Sequence, residues 1–86
     1  MDEYLILNNG SIVPDAHCFD DGTNLFVYIT GESDLMEMLM LFSVPENTQA
    51  IKASRYGEES TYTGYTELYS MSREYGNINL IMKKGE

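Results

Sequence analysis

Turn signals set the grain of this chain. Asn9-Gly10 follows the apolar segment Tyr4–Leu7, and Asp21-Gly22 follows Ile12–Phe19. Asn-Gly and Asp-Gly are favoured tight hairpin turns, because both central positions need positive φ. Tyr56-Gly57 and Tyr75-Gly76 punctuate the second half in the same way. Short antiparallel strands are the architecture such spacing allows.

The segments between the turns read as strands. In residues 24–30, Leu25, Val27 and Ile29 alternate with Phe26, Tyr28 and Thr30. Bulky side chains on both faces predict a central strand. Residues 78–83 repeat the alternation with Ile78, Leu80 and Met82. Residues 60–73 are dense in Thr and Tyr, which favour strands. Gly64 predicts a bend that splits this stretch in two. Pro14 cannot donate to a ladder, so its strand is expected at an edge or with a bulge.

One segment does not alternate. Residues 33–43 are rich in Leu and Met, good helix formers, with Ser33 or Asp34 placed to cap and Pro45 placed to stop. At 100° per residue Leu35, Met38, Leu39 and Phe42 make one stripe, leaving Met36, Met40 and Leu41 outside it. The predicted fold is α+β: an antiparallel sheet of about six strands in hairpins with one helix packed on it, in the order βββαβββ(β). The 86 residues are read as a single domain, 1–86.

Composition limits function. The chain is 43% hydrophobic and 12% aromatic, too rich in core-forming residues for disorder. The apolar run Leu35–Phe42, broken by Glu37, is far short of the roughly 20 residues that span a bilayer. Met1-Asp2-Glu3-Tyr4 lacks the basic start of a signal peptide, and the single Cys18 cannot form an internal disulfide. These features predict a cytoplasmic location. Fourteen acids against five bases give a formal charge of −9. That field repels nucleic acid and anionic membranes and favours a basic partner protein, although an acidic surface also serves solubility alone.

Little here suggests covalent chemistry. His17 and Cys18 are adjacent, and neighbours on a strand point to opposite faces, so they are not expected to form a nucleophile–base pair. Cys18 reads as a small core residue. Two candidate ligands are too few for structural zinc, and Asp20-Asp21-Gly22 reads as a turn, not a calcium loop. No catalytic residue, metal or cofactor is expected.

Two features point to binding. Tyr62, Tyr65 and Tyr69 offer rigid amphipathic area, as interfaces use, or serve as ordinary strand residues with one half-buried face. Tyr65 and Tyr69 share a face if no bulge intervenes. Met36, Met40 and Leu41 are left either to a partner, including a second copy, or to cover by residues 43–49.

The stretches Phe42-Ser43-Val44-Pro45-Glu46-Asn47-Thr48, Tyr62-Thr63-Gly64-Tyr65-Thr66-Glu67-Leu68 and Ile78-Asn79-Leu80-Ile81-Met82-Lys83-Lys84 resemble small uncharacterised proteins of tailed bacteriophages and prophages. The resemblance covers roughly residues 25–84, with Val44 where that pattern has an acidic residue. It implies a non-enzymatic accessory protein of virion or tail assembly, in the bacterial cytoplasm or on the virion. Alternatively, it implies an acidic inhibitor of a host defence nuclease. The group has no assigned activity, so no functional residue carries over.

Overall fold

The two-residue loops Tyr56-Gly57 and Tyr75-Gly76 have positive φ at both positions, 49° and 86° in the first and 51° and 83° in the second. That is the twist a tight hairpin needs. The computed structural model describes residues 2–85. Its strands are β1 (Glu3–Ile6), β2 (Ile12–Pro14), β3 (Ala16–Asp20), β4 (Asn24–Ile29), β5 (Ala50–Arg55), β6 (Glu58–Thr63), β7 (Glu67–Glu74) and β8 (Asn77–Lys83). Between β4 and β5 lie one α-helix, α1 (Leu35–Phe42), and a short 3-10 turn, Pro45–Thr48.

The α+β class, the lone α-helix, the central place of β4 and the break at Gly64 match the expectation. The single sheet of about six strands and the order βββαβββ(β) do not: four strands precede the helix and four follow it. Eight strands form two antiparallel sheets, ordered β2-β1-β5-β6 and β3-β4-β8-β7. The cause is two residues with positive φ, Asp15 at 53° and Gly64 at 83°. Each turns a strand out of one sheet and into the other. Asp15 donates its N–H to the Glu3 carbonyl in the first sheet (2.9 Å) and accepts from the Thr30 N–H beside the second (2.8 Å). Gly64 repeats the device: its N–H bonds the Gln49 carbonyl at 3.0 Å, and its carbonyl accepts from Gly85 at 2.9 Å.

The inward rows of both sheets make one core. Leu5, Val13 and Ile51 from the first sheet meet Leu25, Val27, Ile29, Ile78, Leu80 and Met82 from the second. Helix α1 adds Met38 and Phe42 and closes one end. Its N-cap is Asp34, whose carboxylate accepts from the Met36 N–H at 3.1 Å. Asn47 donates to the Leu41 carbonyl near the other end at 3.0 Å. The expected stripe is corrected in part: Leu35 and Leu39 stay partly exposed, while Leu41 packs against the core. A helix over a sandwich end touches the core through a narrow arc, so only Met38 and Phe42 reach it fully.

Candidate protein-binding groove

Strand β2 is the edge of its sheet, as Pro14 predicts. Its ladder bonds to β1 run through Ser11 and Asp15, at the pairs Leu7–Ser11 and Glu3–Asp15. By alternation Ile12 and Pro14 turn their backbone groups outward, so the missing proline N–H costs no ladder bond. Ile12 is an exposed side chain on this edge.

Across from β2 runs α1. Between them lies an open groove of about 670 Å³, lined by Ser11, Ile12 and Pro14 on one side and by Glu37, Met38, Met40 and Leu41 on the other. Its floor is the loop Glu32-Ser33-Asp34. Arg73, reaching from β7, holds that loop by donating to the Ser33 carbonyl at 2.7 Å and also bonds the Gly76 carbonyl.

The groove combines apolar side chains with three carboxylates. Ile12, Pro14, Met40 and Leu41 supply the apolar walls; Glu32, Asp34 and Glu37 supply the charge. No basic side chain lines it. Among the described residues, no ion pair uses any of these three acids. Asp34 is partly spent on its cap, and the helix N-terminus favours negative charge there. Met36 and Met40 are 62% and 66% exposed, so the helix rim beside the groove is thioether surface open to solvent.

The tyrosines fall differently from the expectation. Tyr65 is only 2% exposed and belongs to the core. Its hydroxyl donates to the Asp20 carboxylate at 2.6 Å, and this bond, with burial, pushes the phenol up to about 12. Tyr62 is half-buried and donates to the Cys18 carbonyl at 3.2 Å, closing the gap between β3 and β6. Tyr69 is exposed, with the Lys83 ammonium 4.2 Å above its ring. Tyr65 and Tyr69 do not share a face. The β7–β8 register slips between Leu68 and Ser70, and Tyr69 is the extra residue of that bulge. Of the expected helix residues, Met40 and Leu41 line the groove and Met36 does not, and none of the three tyrosines joins them.

His17 and Cys18 behave as alternation predicts. Cys18 is buried, and desolvation, aided by the Asp20 charge, pushes its thiol up to about 12. His17 stays on the outer side, its Nδ1 3.4 Å from a Glu3 carboxylate that also holds the Arg55 guanidinium at 2.8 Å. A neutral, buried thiol is not a nucleophile. Among the described residues, no cluster of three or more His, Cys, Asp or Glu is placed to hold a metal ion. No helix of the described residues is long and apolar enough to cross a membrane.

Sequence reading missed Ile12 and Glu32 as groove residues. The outward turn of Ile12 follows from the ladder phase, which a lone Pro14 does not fix. The place of Glu32 follows from the bond that Arg73 makes to its neighbour Ser33, forty residues away in sequence. No protein family, curated protein or solved structure was found to match the chain.

Proposed function

We propose that this chain is a non-enzymatic accessory protein that binds a partner protein through the groove between β2 and α1. The segment it takes is basic and apolar: Lys or Arg side chains meet Glu32, Asp34 and Glu37, and apolar anchors lie against Ile12, Met40 and Leu41. The observation that carries the reading is the pairing of carboxylates in no ion pair with exposed thioether surface on one cleft. Charge of this kind steers association and selects partner sign, while buried apolar anchors supply affinity. Virion or tail assembly in a phage-infected bacterium is the setting the sequence resemblance supports.

The test is selection of random peptides displayed against the immobilised protein. Enriched sequences are expected to combine Lys or Arg with apolar residues. Glu37→Gln is expected to weaken the best peptide about 2- to 5-fold, the range for one exposed ion pair. Met40→Asp is expected to weaken it at least about tenfold, because it places an unpaired charge against an apolar anchor. Neutral or acidic winners, or binding indifferent to both changes, refute the proposal. Inhibition of a host nuclease is the second reading, favoured by the −9 charge alone. It adds that DNA competes with the chain for the same partner, which an assembly role does not require.

A further inference from the structure

The chain has six asparagines, and the fold treats one unlike the rest. Asn8 and Asn47 use their side-chain amides on backbone carbonyls, donating to Glu46 and to Leu41 at 3.0 Å each. Asn24, Asn77 and Asn79 lie in β4 and β8, where the ladder holds the backbone extended and the next residue is Leu25, Ile78 or Leu80. Asn9 is exposed, lies in the loop between β1 and β2, and is followed by Gly10.

The geometry of this loop sets an electrophile beside a nucleophile. Asn9 Oδ1 accepts from the Ser11 N–H at 3.0 Å. That bond lays the side chain along the Gly10 peptide between them and draws electron density from Asn9 Cγ. Gly10 has φ 90°, and a Cβ built on it would meet nothing within 4 Å. Its amide nitrogen is therefore screened neither by a side chain of its own nor by a neighbour on that side. Joining that nitrogen to Asn9 Cγ closes a five-membered ring. One bond opposes the closure: the Gly10 N–H donates to the Leu7 carbonyl at 2.9 Å and must be released first. It lies in an exposed turn, where local opening costs little.

We propose that Asn9 is a modification site, deamidating spontaneously with solvent water as co-reactant. Asparagine is among the thermolabile residues, and this one meets the conditions for the reaction. Hydroxide takes the Gly10 amide proton. The nitrogen's electron pair attacks Asn9 Cγ and forms an N–C bond. The Cγ–Nδ2 bond then breaks, and the leaving nitrogen takes a proton from water and departs as ammonia, leaving a succinimide. Water adds to either ring carbonyl and breaks its bond to nitrogen, giving isoaspartate or aspartate; nothing is oxidised or reduced. Both products add one negative charge to a chain of −9. Isoaspartate also routes the backbone through the side chain and lengthens the loop by one methylene. That strains the Leu7–Gly10 and Leu7–Ser11 bonds that close the β1–β2 hairpin, next to Ser11 on the groove wall.

Peptide mapping by mass spectrometry tests this on the full chain, held for weeks in warm, mildly alkaline buffer, folded or unfolded in urea. The folded chain is expected to gain one mass unit at Asn9 and at no other asparagine, faster as pH rises, with isoaspartate detected by enzymatic methylation. It is expected to react up to about tenfold more slowly than the unfolded chain, the cost of opening one exposed turn bond. Asn9→Gln, whose longer side chain would need a six-membered ring, is expected to abolish the mass gain and keep the folded circular dichroism spectrum. Protection of Asn9 by more than about a hundredfold in the folded chain overturns the proposal, because the loop then forbids the closure. So does a folded chain that deamidates first at any of the other five asparagines.

Discussion

Replacing Gly64 by alanine tests the joint on which the two-sheet architecture turns. Gly64 has φ 83°, and its two backbone bonds, to Gln49 and Gly85, tie one sheet to the other. An alanine Cβ there would meet Lys84 Nζ at 3.5 Å, ordinary contact, so no clash adds to the cost. What remains is the left-handed backbone, ~1–2 kcal/mol for an ordinary L-residue. At ~2.1 cal/mol/K per residue, a chain of 86 residues unfolds with an entropy of ~180 cal/mol/K. Gly64→Ala should therefore lower Tm by ~6–11 °C. Gly64→Asn should cost less, because asparagine tolerates this region, and Gly64→Val more, because β-branching does not. Differential scanning calorimetry of the three variants reads the order directly. Equal Tm values for wild type and Gly64→Ala, or valine no worse than asparagine, refute a φ-governed corner.

Four further outcomes rest on the packing. Tyr75→Asn should raise Tm by a few degrees, because it puts a favoured residue at φ 51° in a hairpin turn where the tyrosine is fully exposed; an unchanged or lower Tm counts against the turn assignment. Tyr65→Phe should lower Tm by several degrees and leave the fold intact, since it deletes the hydroxyl that donates to Asp20; a neutral result removes that bond from the account. Cys18 and Tyr65 both have raised values in the folded chain, about 12 against ordinary values of 9.0 and 10.0. The stability gained by keeping them neutral is complete below pH 9 and is lost as pH rises towards 12. Denaturant midpoints should fall over that window. A thiol reagent at pH 8 should modify Cys18 only after unfolding, and fast labelling of the native chain would contradict its burial.

Local patterns were readable where one residue type decides the geometry. Pro14 placed β2 at an edge, Gly64 marked the break in the Tyr/Thr stretch, and Asp34 capped α1. The second sheet was not readable, because Asp15 gives no glycine-like signal for its positive φ. Without that corner, residues 12–19 read as one strand. The tyrosines misled for a similar reason. Tyr65 and Tyr69 are four apart, which alternation puts on one face, but the corner at Gly64–Thr66 breaks the alternation, so that Tyr65 and Leu68 both face the core and Tyr69 faces out. Tyr56 and Tyr75 occupy turn positions where sequence preference expects Asn or Asp. At the candidate groove, the helix residues Met40 and Leu41 were visible from periodicity alone. The opposing wall at Ile12 and the floor at Glu32 depend on tertiary contacts.

The central claim is that one cleft, with its acids and thioethers together, meets a basic apolar segment. Amide chemical-shift mapping of the labelled protein, titrated with a synthetic amphipathic helix of Leu and Arg, tests it most directly. The account predicts shifts confined to Ser11–Ile12, Glu32–Asp34 and Glu37–Leu41, fading as salt is raised. Shifts centred on the outer face of the second sheet, or none at millimolar peptide, would contradict it.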